Sequence, residues 1–284
     1  MSISSIQLEA FYAVAQAANF TKAAEKLNVT QSALSQRILN LESDLETALF
    51  IRDRAGLRMT EAGTRLLRYC HTKNSLEAEF VSSLKSKAAD GLSGVIRIAG
   101  FSSVMRSVMM PALADIAREH EALQFEFFTR EVDDLLPMLK RGEVDFIVSD
   151  QSYQREELET ASLGVEKNVL VEKRGYDGAD IYLDHDERDQ TTLKYLKLTG
   201  VRAEAIRRRY LDDVYGLIDG VKLGYGRSVL PLHLIKNEKI ISVLHPRSVL
   251  EVPVDLYYFK QPYYSKLHLA VVREVTRKSR PLLA

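Results

Sequence analysis

Between residues 21 and 37 the chain carries short side chains that both donate and accept hydrogen bonds: Thr21, Thr30, Gln31, Ser32, Ser35 and Gln36, closed by Arg37. Amides and hydroxyls on the first turns of a helix can pair with base edges in a major groove, while the backbone N–H groups at its start meet phosphate. Each good bidentate pair of this kind discriminates by about 1–3 kcal/mol. Shortly downstream, Arg52, Arg54 and Arg58 are accompanied by a single acid, Asp53, a balance suited to phosphate contact or to insertion in a minor groove. A second constellation is Phe101-Ser102-Ser103, where two hydroxyls and free backbone donors at a helix start could hold an anion, a carboxylate above all. A plain serine cap would account for one of those hydroxyls. Ser149, at the end of a strand, and Thr199 and Arg202, after a later helix, are further candidates to line the same ligand site, with Arg202 able to pair with a second carboxylate.

Other chemistries are poorly served. Asp184-His185-Asp186-Glu187 offers four adjacent ligand atoms that mostly point apart, so a turn is expected there and not a metal site. Gly224-Tyr225-Gly226 lacks the third glycine of a dinucleotide fingerprint. There is no nucleophile elbow, no phosphate loop and no cysteine–histidine pair, which argues against an enzyme, and no cofactor is expected. Cys70 is the sole cysteine and reads as a small packed hydrophobe, in keeping with a reduced, cytoplasmic setting.

The elements needed to hold these groups are legible in the spacing. A helix is expected to start after Thr21, capped by its hydroxyl, with a turn at Asn28-Val29; Thr30 then caps a second helix. Ala33, Leu34, Ile38, Leu41 and Leu45 recur at helical spacing, which turns the polar set outward. After Gly63 the pattern Leu66, Leu67, Cys70, Leu76, Phe80, Val81, Leu84 predicts one long helix to about Lys87, whose apolar stripe calls for a partner helix, either a twin in a second subunit or its own downstream domain. Ala89 to Gly94 is the clearest linker. Beyond it, strands and helices alternate (Val95–Ala99, Ser103–His120, Leu123–Thr129, Val132–Arg141, Val144–Ser149), the signature of a parallel sheet covered on both faces. Strands at Leu158–Leu163, Asn168–Glu172 and Asp180–Leu183, a helix at Thr191–Leu198, a strand near Ala205–Tyr210, a helix at Asp212–Lys222 and a strand at Gly224–Leu230 follow. A strand at Val252–Lys260 and a helix at Tyr264–Lys278 end the chain.

Residues 3 to 63 resemble the DNA-binding domain of the LysR-type transcriptional regulators. The resemblance rests on Phe11 to Ala15, Asn19-Phe20-Thr21, Ala23-Ala24, Leu27, Val29 to Ser35, Leu41-Glu42, Leu49-Phe50, Arg52 and Thr60 to Gly63. It continues in residues 94 to 149 and in Gly220 to Gly226 followed by Leu230-Pro231. One departure is Glu46, where the family usually closes the recognition helix with glycine. The resemblance implies an α/β protein: an N-terminal winged helix-turn-helix (1–59), a long linker and dimerisation helix (60–89), and a two-lobed α/β effector domain like the type 2 periplasmic binding proteins, with lobe 1 formed by 91–151 and 254–284 and lobe 2 by 152–253. It further implies a homodimer or tetramer on double-stranded DNA at interrupted palindromes, with a small, anionic effector between the lobes. An enzyme or a solute-binding module with a DNA-docking head is the alternative.

With 284 residues, 46% of them hydrophobic, and 39 basic against 39 acidic side chains, the chain can build two or three cores but has no overall positive charge to coat DNA non-specifically. Any basic surface must be local. No secretion signal and no membrane span are expected.

Overall fold

The computed structural model describes residues 3–53, 56–85, 91–200 and 206–284; Arg54 and Arg202 lie outside the described residues, and of Arg52 only the backbone is described. The chain opens with three helices, α1 (Ser5–Ala17), α2 (Phe20–Lys26) and α3 (Gln31–Asp44), then a two-stranded wing, β1 (Phe50–Asp53) and β2 (Gly56–Met59), and a 25-residue helix α4 (Glu61–Lys85). Phe11, Val14, Leu34, Leu41 and Leu49 are completely or almost completely buried in one core that also takes in Leu67 and Cys70 of α4. Burying each large apolar side chain there stabilises the head by about 1.5–3 kcal/mol. Phe50 of the wing closes the core over Phe11, ring centroids 5.3 Å apart. Burial pushes the Cys70 thiol up to about 11, so it packs as a hydrophobe.

The junctions of the head are specified by side-chain caps. Thr30 accepts from Ala33 N at 3.2 Å and caps α3. The cap of α2, however, is Asn19, which accepts from Lys22 N at 3.0 Å; Thr21 lies inside the helix, exposed. Asn19 wins because it sits one residue before the first helical position, where its short carbonyl reaches the third N–H. Thr60 ties wing to linker, donating to Ala48 O at 2.7 Å and accepting from Gly63 N at 3.0 Å. Gly63 is required: a Cβ there would stand 2.2 Å from the carbonyl oxygen of Leu49.

The effector domain is one curled mixed sheet with helices on both sides. Its strands are β3 (Gly94–Gly100), β4 (Leu123–Thr129), β5 (Phe146–Ser149), β6 (Leu158–Lys173), β7 (Ile181–Asp184), β8 (Arg207–Tyr210), β9 (Arg227–Pro231), β10 (Ile241–Val243) and β11 (Leu250–Phe259), in the order 4-3-5-11-6-9-7-8, with β10 also on β6. The helices are α5 (Ser102–Val104), continued through a π turn at Met105–Met109 into α6 (Met110–Glu119), then α7 (Val132–Lys140), α8 (Thr191–Leu198), α9 (Val214–Leu223), α10 (Leu232–Ile235) and α11 (Lys266–Leu283). Separate cores lie around β3–β5 with α6 and α11, and around β7 and β9 with α9, which defines two lobes. Residues 158–173, expected as two strands, form a single one that runs antiparallel to β11 through both lobes, with a register shift where Gly164 (φ 138°) faces Val254. A glycine that reads as a break in sequence thus serves as a bulge that bends a continuous strand.

α4 lies against lobe 1 of its own chain: Arg68 sits 3.8 Å over the Phe259 ring and Thr72 donates to Gln261 at 2.7 Å. Its later apolar residues stay exposed, Phe80 at 63% and Leu84 at 71%. Among the described residues no helix is long and apolar enough to cross a membrane.

Candidate nucleic-acid interface and ligand cleft

The buried residues of α3, Leu34, Ile38 and Leu41, occupy one side, so geometry alone turns Ser32, Gln36 and Asn40 to the opposite side, with Gln31 and Ser35 beside them. These polar side chains are held in place by one another. Thr30 and Ser32 hydroxyls are 3.0 Å apart, Gln31 Nε2 donates to Ser35 Oγ at 3.1 Å, and Gln36 Nε2 donates to Asn40 Oδ1 at 2.9 Å. Such pairing lowers the ordering cost of a later contact. Asn40 was not expected from the sequence reading; its signal is the four-residue spacing from Gln36. Arg37 is half-buried at the flank of the helix, and Arg58 is exposed on β2, where it pairs with Ile51.

The far end of α3 answers the question raised by Glu46. Glu46 adopts φ 51° itself, and Glu46 N and Thr47 N donate to Ser43 O at 3.2 Å and Glu42 O at 3.0 Å. The left-handed helix stop is therefore kept without glycine, and the backbone bears the strain. The Glu42 carboxylate then accepts from Leu49 N at 2.6 Å and Phe50 N at 3.2 Å, which fixes the wing relative to the helix.

In the effector domain the carboxyl ends of β3 and β5 lie at the bulge between the lobes, and those of β7, β8 and β9 point at them from lobe 2. This is where ligands settle in parallel sheets. Ser102 is half-exposed at that line, while Ser103 is buried and donates to Glu166 Oε1 at 2.9 Å. Ser149 is wholly buried; its Oγ donates to Tyr153 at 3.3 Å and accepts from Gln151 N at 3.1 Å. Thr199 is not brought to the cleft. It closes the C-terminal end of α8, donating to Leu196 O at 2.9 Å, whereas Thr192, at the start of the same helix, donates to Asp184 at the carboxyl end of β7. The reason is topological: a segment that follows a helix starts the next strand, at the end of the sheet away from the carboxyl edge.

The structure adds residues the sequence did not single out. Burial raises the Glu166 carboxyl to about 7, although Ser103 and Asn168 donate to it. Across the lobes, Ser107 meets His233 Nε2 at 2.9 Å and Arg106 lies 4.4 Å over the Tyr215 ring. Burial holds His233 down at about 4, so it is neutral. Glu166, followed by Lys167 and Asn168 in a strand of mixed polarity, carries no local signal, and neither do the lobe-to-lobe contacts. Asp184 is no ligand in waiting: Thr192 and Arg208 donate to it, each at 2.5 Å, and no metal-holding group exists among the described residues.

A winged helix-turn-helix joined by a long helix to a two-lobed α/β domain defines a DNA-binding regulator with a ligand-binding module. The chain belongs to the LysR family: residues 6–64 match the bacterial regulatory helix-turn-helix protein, lysR family, and residues 89–280 match the LysR substrate binding domain. It is a transcriptional regulator and not an enzyme. It is 28% identical over 241 residues to the regulator YusT of Bacillus subtilis, covering 82% of this chain and 80% of YusT. To the regulator HdfR of Yersinia enterocolitica it is 31% identical over 157 residues, 55% of this chain and 53% of HdfR. Among solved structures, ArgP of Mycobacterium tuberculosis superposes with a TM-score of 0.80 at 22% identity over 98% of both chains. LysG of Corynebacterium glutamicum, described with bound effector Arg, superposes at 0.75 and 21% identity over 98% of this chain and 100% of LysG.

Proposed function

We propose that this regulator reads interrupted palindromic sites in duplex DNA, two heads at a time, and that a small molecule between lobes 1 and 2 alters its binding. The carrying observation is the mutually braced polar face of α3, with Thr30, Gln31, Ser32, Ser35, Gln36 and Arg37 as its reading residues. Thr21 and the wing arginines Arg52, Arg54 and Arg58 would serve the phosphates. The exposed apolar end of α4 supports a twin helix as its cover, hence a homodimer or tetramer, and two-fold symmetry would give half-sites related by a dyad. The functional division proposed is 1–59 for the head, 60–89 for the linker, 91–151 with 254–284 for lobe 1 and 152–253 for lobe 2.

For the effector, the remaining backbone donors at Ser102 and Ser103 and the Ser102 hydroxyl support a carboxylate-bearing ligand; Ser103 and Ser149 act from beneath as positioning groups. Arg202 is the proposed partner of a second anionic group, and Thr199 is left with a helix-closing role. The LysR-family setting supports cytoplasmic residence. In the test, Gln31→Ala and Ser35→Ala each weaken the selected site by about 1–3 kcal/mol and leave binding to random duplex nearly unchanged. Equal losses on both would defeat the reading role. Calorimetry of the full chain against amino acids and dicarboxylates tests the cleft.

A further inference from the structure

A cavity of about 610 Å³ separates the head from lobe 1. It lies well within the size range of small-molecule sites, about 300–1,000 Å³. None of the cleft residues just discussed lines it. Leu57, Met59 and Phe128 supply apolar wall, and Arg58, Arg97 and Arg141 also line it, Arg97 paired with Glu126 and Arg141 with Glu143. Arg97 commits its Nε to Glu126 at 3.0 Å, and Arg141 donates through Nε and Nη2 to Glu143. The other guanidinium N–H groups of these two residues are donors in a fork that suits a planar or tetrahedral anion.

We propose that this seam is a second ligand site, built for an amphipathic anion: a carboxylate or sulfonate head on an aromatic or aliphatic body. The body would rest on the Leu57, Met59 and Phe128 wall and the head would lie between Arg97 and Arg141. Leu57, Arg58 and Met59 belong to the wing strand, whereas Arg97, Phe128 and Arg141 belong to lobe 1, so the ligand touches both units at once. Its affinity then depends on how they are placed, and by linkage its binding biases that placement. The seam is independent of the cleft between the lobes, and its failure would leave the cleft reading intact.

The probe is 8-anilinonaphthalene-1-sulfonate, a fluorescent amphipathic anion, titrated into the full chain. One saturable site with enhanced emission is expected. Arg141→Glu, an exposed position, weakens it by about tenfold or more through loss of a charge-assisted contact. Met59→Trp fills the wall and abolishes it, and blocking the interlobe cleft with Ser102→Trp does not weaken it. Naphthalene-1-sulfonate displaces the probe, and the neutral naphthalene-1-sulfonamide does so far less well. The proposal is overturned if Arg141→Glu binds like the parent chain, if Ser102→Trp removes the signal, or if the neutral competitor is as good as the anion. Should Met59→Trp not fold, Arg141→Glu and the two competitors decide the matter.

Discussion

Replacing Glu46 by glycine should make the head more stable. Glu46 stands at φ 51° just past Leu45, the C-cap of α3, held there by the two capping bonds from its own and the next N–H. A side chain in that region costs about 1–2 kcal/mol because its Cβ crowds the carbonyl, and glycine does not incur this. Against that gain, glycine adds freedom to the unfolded chain, worth about 0.4–1 kcal/mol. The net is a stabilisation of about 0.5–1 kcal/mol, which for a unit of the head's size moves its melting temperature by roughly 2–8 °C. Far-ultraviolet circular dichroism of the full chain during heating would follow it, with Glu46→Ala as companion. Alanine keeps the Cβ and should leave the head's transition within about 0.5 kcal/mol of the parent, as expected when only an exposed carboxylate is removed. If Glu46→Gly lowers the transition the strain argument is wrong, and if alanine stabilises as much as glycine the carboxylate itself, not the strain, is the destabilising feature.

Other consequences follow from the same geometry. Gly63→Ala, with its Cβ driven into the Leu49 carbonyl, should destabilise the head by about 1–3 kcal/mol or more, read as a lower denaturation midpoint; an unchanged midpoint would mean the wing and linker slide apart at no cost. Glu166 has a folded-state pKa near 7, above the ordinary 4.5, so its contribution is complete below about pH 4.5 and is lost as the pH rises through 7. Glu166→Gln should therefore gain on the parent by about 1.4 kcal/mol per pH unit across that window and approach parity near pH 4.5; urea midpoints that move in parallel at every pH would contradict this. Leu84→Asp, at the exposed end of α4, should shift the chain toward monomer in light scattering, and an unchanged mass would place the interface elsewhere.

Much of this arrangement could be read from residue types, because the constraints were local. Thr30 followed by an apolar stripe at helical spacing specifies both the cap and the outward face of α3, and the strand Leu123–Thr129 and the helix Thr191–Leu198 have the bounds that periodicity gives. Thr21 reads as a cap because Asn19 and Thr21, two positions apart, are both good caps and only the backbone decides between them. Which end of a helix meets the other lobe is a matter of strand direction, invisible until pairing is known, and this is why Thr199 was expected in the cleft. The Ser103–Glu166 and Ser107–His233 contacts join residues 63 and 126 positions apart, beyond any local pattern. The small elements β10 and α10, three and four residues long, span too few residues to show a repeat of either template.

The most direct measurement is selection of bound duplexes from a random double-stranded library by the intact chain at moderate ionic strength, repeated with Gln31→Ala. Enrichment of one dyad-related motif, with changed preference at symmetric positions in the variant, is the predicted result. Recovery of no preferred sequence, or of the same motif at undiminished strength from Gln31→Ala, would contradict the reading of α3 as the element that recognises bases.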